Sequence, residues 1–551
     1  MHYEGQPLIE AKQIAYQFSG EIIPLFSGID MVLNAEQHAL VGRNGIGKSW
    51  LASILARQIP PTEGSVNHFC DVGYLSQGLT SFSGNAAEML GLTEIMKANE
   101  RILASVGDVT DFDVMENHWD WQFQAESLLA EGELRTEVLN QPFSSLSGGE
   151  QTRLRLLALK HQGAEFMILD EPSNHLDRQG RLWLAQWLTT FSGGILLITH
   201  DPQLLQHVSV VYELSGLGLC RSTGGWETWL ESKEQLRLGV QREVDQTRKN
   251  LKQALRDKQK DREKASKRQS QGKQRRENAN QSKIILDREL GRSEATLSRQ
   301  AKQHEERLQR SASLATDARA RLEIIDPLSI TVAAPQIATA PLLYLQNVIL
   351  PFGSSSPISL TMNHSDRLAI TGKNGSGKST LLKVMAGLFP AKQGTSRITP
   401  SFRLMDQHFS FLDKNQSALH NFQLQSPGWP EDRYRTRLAQ LRIRGEEALK
   451  PVGCLSGGEQ LKVALACLFC GPYAPALLLL DEPDNHLDIE SRELLQKALH
   501  GYTGAMVLIS HDAQFIANIG NMQELLLGSS EDLARIFFIK KPSNHSLRDE
   551  F

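Results

Sequence analysis

Gly42-Arg43-Asn44-Gly45-Ile46-Gly47-Lys48-Ser49 returns, lightly altered, as Gly372-Lys373-Asn374-Gly375-Ser376-Gly377-Lys378-Ser379. Each copy fits G-x-x-x-x-G-K-[ST], follows an apolar stretch (Ala39 to Val41, Leu368 to Thr371) and precedes a helix-like run (Leu51 to Ala56, Leu381 to Ala386). Strand, loop and helix in that order are the setting of a phosphate-binding loop. Glycines let backbone amides approach phosphate oxygens, and the helix adds its positive end. Gly42, Asn44, Gly45 and Gly47, with Gly372, Asn374, Gly375, Gly377 and Thr380, are therefore candidate nucleotide-binding residues. Lys48 and Lys378 suit the β- and γ-phosphates, and Ser49 and Ser379 suit Mg²⁺. A chance match in a Gly-rich turn competes with one such loop, not with two in matched settings.

The landmarks downstream repeat too. Lys48 to Gln77 and Lys378 to Gln407 both span 29 residues, as do Glu171 to His200 and Glu482 to His511. One interval differs: Gln77 to Ser147 is 70 residues and Gln407 to Ser456 is 49. A helical insertion within about 78–142 accounts for the excess, and it holds the acidic, aromatic stretch Glu116 to Glu126. Both copies contain an apolar strand ending in two acids, Asp170-Glu171 and Asp481-Glu482. Asp170 and Asp481 suit Mg²⁺, and Glu171 and Glu482 suit a general base for an attacking water. Leu146-Ser147-Gly148-Gly149-Glu150-Gln151 and Leu455-Ser456-Gly457-Gly458-Glu459-Gln460 place a hydroxyl and glycine amides at helix starts, where a γ-phosphate can bind.

These motifs together resemble the ATP-binding cassette (ABC) ATPases, with two complete cassettes. Asp170-Glu171-Pro172-Ser173-Asn174-His175-Leu176-Asp177 and Asp481-Glu482-Pro483-Asp484-Asn485-His486-Leu487-Asp488 resemble the ABC-F family more closely, in which Asn-His-Leu-Asp follows the acids. The resemblance implies an α/β fold, two P-loop ABC ATPase cassettes joined by a long helical coiled-coil hairpin linker. It implies ATP and Mg²⁺ as cofactors, with each nucleotide shared between cassettes. Lys48, Ser49, Gln77, Asp170, Glu171 and His200 would face Ser456 and Gly458; Lys378, Ser379, Gln407, Asp481, Glu482 and His511 would face Ser147 and Gly149. Phe18 and Phe352 hold the place of an adenine-stacking aromatic, with core packing as the competing role. Two residues depart from the family pattern. Trp50 follows Ser49 where a small polar residue is usual, and Asp484 adds a carboxylate near the catalytic one, which would retune the second site.

The expected domains are 5–232 for the first cassette, 233–326 for the linker, 340–532 for the second cassette and 533–551 for a short tail. The chain carries 59 Lys+Arg and 63 Asp+Glu, a net charge of −4, yet Glu231 to Ile325 alone is +10. Leu236, Val240, Val244, Leu251 and Leu255, then Leu286, Leu290, Leu297, Ala301 and Leu308, recur at helical spacings. They predict two helices of about 40 residues, roughly 60 Å each. The turn is expected around Ser270 to Asn280. Arg262, Lys264, Lys267, Arg268, Lys273, Arg275 and Arg276 are the RNA-contact candidates; without aromatics the segment suits phosphate rather than base readout. A solvated helical face is the plainer reading.

By resemblance the partner is the ribosome, both rRNA and P-site tRNA, with a role as translation factor or antibiotic-protection factor. The competitors are the ATPase subunit of a membrane transporter and a DNA-associated repair ATPase. No apolar run reaches the roughly 18–20 residues of a membrane span. The N-terminus lacks a secretory pattern, and five cysteines suit a reducing compartment, so a cytoplasmic monomer with its two cassettes paired internally is expected. Cys467 and Cys470 have C-x-x-C spacing without a second pair and are expected to pack in a helix core.

Overall fold

Both repeats fold on one plan in the computed structural model, which describes residues 6–21, 23–78, 82–174, 176–216, 218–277, 302–303, 305–318, 330–336, 341–485, 487–528 and 535–538. The first repeat has β1 (Ile9–Tyr16), β2 (Phe26–Leu33), β3 (Gln37–Gly42), β4 (Glu63–His68), β5 (Val72–Leu75), β6 (Phe166–Asp170), β7 (Gly194–Ile198), β8 (Val210–Ser215) and β9 (Gly218–Thr223). The second has β10 (Leu343–Ile349), β11 (Ile358–Met362), β12 (Arg367–Gly372), β13 (Gln393–Ile398), β14 (Phe402–Met405), β15 (Leu477–Asp481), β16 (Ala505–Ile509), β17 (Gln523–Leu527) and β18 (Arg535–Phe538).

The main sheets run β5-β6-β7-β3-β8-β9 and β14-β15-β16-β12-β17-β18. All neighbours are parallel except the last pair of each. Three-stranded antiparallel sheets, β2-β1-β4 and β11-β10-β13, accompany them. The central strands are apolar throughout because helices cover both faces; every residue of β6 and β7 is buried. The phosphate-loop strands β3 and β12 sit one strand away from the acid-bearing strands β6 and β15. Parallel register brings all their C-terminal ends to one edge, where ligands of such sheets bind. Residues 535–538, expected in a tail, instead add the edge strand β18 beside β17.

Four helices, Ala86–Met89, Thr93–Leu103, Val109–Met115 and Trp121–Glu131, fill the first insertion. The matching interval of the second cassette has two, Ala418–Gln425 and Glu431–Gln440. Ala98, Met115, Trp121, Ala125 and Leu129 pack with Leu154 and Leu157 of the helix Gly148–His161. Glu131 ties this insertion down: its carboxylate accepts from Lys160 (2.6 Å) and Trp187 (2.7 Å), and its carbonyl accepts from Trp183 (2.8 Å).

The chain divides into two compact units, Met1–Trp226 with Leu328–Phe551, and Glu227–Pro327. Gly224 and Gly225, both with positive φ, turn the chain into one helix, Gly225–Glu277. Its 53 residues span about 80 Å. It runs on through Gly272, so the turn expected around Ser270 to Asn280 does not fall before Glu277. Residues 305–318 are helical, and Glu305 pairs with Lys258. Leu286, Leu290, Leu297 and Ala301 lie outside the described residues. Among the described residues no helix is long and apolar enough to cross a membrane. Cys467 and Cys470 are buried in the second core; burial pushes the Cys467 thiol up, and that of Cys470 to about 12.

His38 on β3 is buried beside Phe166 and Tyr212, and burial lowers its pKa to about 4. Between that value and the 6.5 of an unburied histidine, the unfolded chain binds the proton that the folded chain refuses. Stability of the first cassette should therefore fall as pH drops from about 6.5, by roughly 3 kcal/mol in all, and level off below about 4. Thermal unfolding against pH, compared with His38→Leu, reads this directly: the variant should lack that part of the acid loss.

Candidate functional site

Each phosphate loop is shaped by residues that only glycine satisfies. Gly42 and Gly372 have φ of 155° and 148°, and a Cβ there would meet the carbonyl oxygens of Leu214 and Leu527 at 2.4 Å. Gly47 and Gly377 start the helices Lys48–Leu55 and Lys378–Met385 in the left-handed region. Lys48 Nζ donates to the Gly42 (2.7 Å) and Arg43 (3.0 Å) carbonyls; Lys378 Nζ donates to those of Gly372 and Lys373, both at 3.0 Å. Burial lowers both ammonium pKa values, and the nearby carboxylates, Glu171 and Glu482 foremost, oppose it. Asn44 and Gly45 line the first loop's cavity with Lys48 and Ser49. Asn374, Gly375 and Thr380 take the matching places in the second loop.

The two acid pairs differ in state. Asp170 is buried, which raises its pKa, and the Ser49 hydroxyl beside it opposes that shift. In the second site Ser379 Oγ donates to Asp481 Oδ1 at 3.0 Å. A serine hydroxyl beside a buried carboxylate is a fitting donor set for a hard divalent cation. Glu171 and Glu482 both have left-handed backbones, φ 50° and 48°, which costs about 1 kcal/mol or more each and turns the carboxylate off its strand. Glu482 lies 3.2 Å from His511 Nε2, a contact that holds its pKa below the usual value, and it also accepts from Asn485 Nδ2 (2.5 Å). Glu171 lies 3.8 Å from His200 Nε2, and Asn174 Nδ2 has no partner among the described residues. With its side chain 13% exposed, against 26% for Glu482, burial and the Asp170 charge push Glu171 up to about 8. Burial lowers His200 to about 3.

Asp484, expected to retune the second site, bonds the residue before His511. It is buried and accepts from Ser510 Oγ at 2.9 Å, near Arg492, Asp512 and Arg181. His175 and His486 lie outside the described residues.

A cavity of about 490 Å³ opens at the first loop, lined by Phe18, Trp50, Gln77, Asp170, Glu171 and His200 among others. Trp50 stacks on Tyr16 with centroids 5.0 Å apart, and Phe18 meets Trp50 edge-on at 5.0 Å. Phe18 thus shares an aromatic wall with Trp50, a residue noted in the sequence only as a departure. Phe352 in the second cassette is exposed, and Gln407 is half-buried.

The cassettes meet through motif residues joined by others, Glu490 and Arg442 among them, that the motifs do not contain. The Asn44 amide donates to Asp488 Oδ2 at 2.9 Å, and Glu490 bridges Arg43 (2.8 Å) and Arg442 (2.9 Å). Gly458 packs below that Asp488 cap; a Cβ on it would meet Ser491 Oγ at 3.1 Å. Across the other half, the Asp177 charge acts on Lys378 and that of Arg181 on Glu482. Ser147 and Ser456 are exposed and close capping boxes with Glu150 and Glu459. Neither serine bonds an opposing phosphate loop among the described residues, and Gly149 is half-buried at its helix start. In the linker, Lys264 and Lys267 are exposed on the helix Gly225–Glu277. Arg262, Arg268, Lys273, Arg275 and Arg276 lie along the same helix, with their side chains outside the described residues.

Two phosphate loops on two largely parallel sheets, the first bonded to a helix cap of the opposite cassette, define a tandem P-loop nucleotide-binding protein. The ABC transporter family profile matches residues 27–174 and 355–485, just over half the chain. The putative ATP-binding protein YdiF of Bacillus subtilis is 30% identical over 93% of this chain and 79% of its own length. ATP-binding cassette sub-family F member 3 of Pongo abelii is 27% identical over 89% and 68%. The crystal structure of archaeal ribosome recycling factor aABCE1 with ribosomal stalk protein aP1 shares the fold at 18% identity, with TM-score 0.57, covering 95% of this chain and 89% of that one. The chain belongs to the ATP-binding cassette family, within its tandem-cassette F sub-family.

In a Glu171→Gln background, where only the second site retains its base, Asn485→Ala should lower kcat about tenfold with little change in KM. Asn174→Ala in a Glu482→Gln background should change kcat less than twofold. Steady-state phosphate release measures both. Trp50→Ser should weaken nucleotide binding at the first site about fivefold, a loss of about 1 kcal/mol of ring stacking, read by fluorescent-nucleotide titration.

Proposed function

We propose that the protein is a soluble, cytoplasmic ABC-F ATPase that acts on the ribosome. Its linker would work near the P-site tRNA and the peptidyl transferase region, as translation factor or antibiotic-protection factor. The observation that carries the ATPase half is the bond from the Asn44 amide to Asp488, which seats the first phosphate loop against the opposite cassette. Two such composite sites make one chain sufficient, a monomer with its cassettes paired internally. Ser49 with Asp170, and Ser379 with Asp481, would hold Mg²⁺, which supplies charge neutralisation at the phosphates.

The chain's own groups then divide the work. Lys48 and Lys378 exchange loop carbonyls for phosphate oxygens. Glu171 and Glu482 orient the attacking water and receive its proton, with His200 and His511 beside them. Ser147, Gly149, Ser456 and Gly458 offer a hydroxyl and amides to the γ-phosphate when the cassettes close, so ATP favours the closed state and hydrolysis releases it. Three features support the ribosomal half. The linker segment Leu251 to Lys283 has 12 Lys+Arg against 4 Asp+Glu. No described helix can span a membrane. The fold is shared with a ribosome recycling factor.

The double variant Glu171→Gln, Glu482→Gln should bind ATP without hydrolysing it and co-migrate with ribosomes on a sucrose gradient only when ATP is present. ATP binding without co-migration would refute the ribosomal reading and direct attention to membrane or DNA partners.

A further inference from the structure

Arg155 lies outside every motif, on the helix Gly148–His161 that Ser147 begins. Its side chain reaches the loop that carries Gln77. Nη1 donates to the Gly78 carbonyl at 3.0 Å, and Nη2 donates to the Ser76 carbonyl at 3.4 Å and the Ser76 hydroxyl at 3.3 Å. One guanidinium thus holds the backbone on both sides of Gln77, and its flat fork suits several acceptors at once. Arg155 is half-buried, and that burial works against its charge. Buried cations usually take a carboxylate partner, whereas here the loop's own oxygens receive the donors. Gln77 lines the first cavity with Lys48, Ser49, Asp170 and Glu171. Gly78 follows it, with open space where a Cβ would stand, and a glycine adds backbone freedom. Such a loop needs an outside brace.

The second cassette braces the matching loop from within. Asp406 and His408 flank Gln407 where Ser76 and Gly78 flank Gln77. The Asp406 carboxylate accepts from the Ser410 amide at 2.8 Å, and the Asp406 carbonyl accepts from the Phe409 amide at 3.1 Å. The Phe409 side chain is buried in the second core. Ala464, eight residues after Ser456 as Arg155 is after Ser147, is buried and has no side-chain donor to offer. The strand before the first loop has a tie of its own. Ser53 Oγ donates to the Ser49 carbonyl at 2.9 Å and meets the hydroxyl of Tyr74, on β5, at 3.1 Å. The first loop is therefore fixed to the phosphate-loop helix on its entry side and to the helix begun by Ser147 through Arg155.

We propose that Arg155 is a positioning residue for the first site: it holds the Gln77 amide at the first nucleotide, a task the second cassette gives to Asp406. The proposal rests on the ATPase half of the function proposed above and not on the ribosomal half. Steady-state phosphate release from the full chain tests it. In a Glu482→Gln background, where only the first site retains its base, Arg155→Met keeps the aliphatic stem and removes the donors. It should lower kcat about tenfold while KM changes less than twofold. Arg155→Lys, which keeps a charged donor, should stay within about threefold of its parent. Gln77→Ala should cost about as much as Arg155→Met, and the two together no more than either alone, because Arg155 acts through Gln77. Arg155→Gln, cycled in the same way, serves if the methionine variant does not fold. In a Glu171→Gln background, where the second site alone turns over, the loss from Arg155→Met should be at least fivefold smaller. Additive losses in the double variant, equal losses at the two sites, or undiminished first-site turnover would each overturn the proposal. A wild-type chain that releases no phosphate from ATP would refute the ATPase reading itself, and this inference with it.

Discussion

A buried ammonium group that must stay charged governs how each cassette is built. Lys48 and Lys378 are nearly enclosed at the end of a strand, where desolvation works against the charge. Carbonyls of the loop itself satisfy the donors, which requires the loop to curl back on glycines no other residue can replace. Carboxylates must stand within reach, which requires the acid-bearing strands to run parallel to the loop strand and end at the same level. The sheet order, the buried apolar strands and the placing of the phosphate-loop helices all serve that requirement.

The same economy explains why the cassettes meet where they do. Asp488 caps its own helix through Ser491 and also receives the Asn44 amide, so one carboxylate serves a helix start and a loop of the other cassette. Arg181 with Asp201, and Arg492 with Asp512, are buried pairs contributed one by each cassette. Asp484 joins their field and has no counterpart in the first repeat, where Ser173 stands. Buried pairs of this kind add specificity of fit more than net stability.

Much of this was legible in the sequence because it rests on short-range chemistry. Phosphate loops, strand-ending acids and helix-capping serines each announce themselves within eight residues or so, and equal spacings made the repeat plain. What escaped was set by rotamer and partner. Asn174 and Asn485 occupy equivalent places, yet only Asn485 reaches its glutamate. Trp50 read as an oddity because its partners Tyr16 and Phe18 come from another strand and loop. Asp484 bonds Ser510, the neighbour of His511, a partner that comes from a distant part of the sequence. Gly272 and its polar neighbours suggested a turn, but a helix already 47 residues long (225 to 271) carries through a weak former at modest local cost.

The ties made by Glu131 reach further than local stability. Lys160 belongs to the helix that Ser147 begins, and Trp183 and Trp187 belong to the helix that Asp177 begins. One side chain at the base of the insertion is thus pinned to both the helix capped by Ser147 and the helix capped by Asp177. The insertion and the two helices are thereby cross-linked at a single point, so displacing Glu131 would loosen both helices at once.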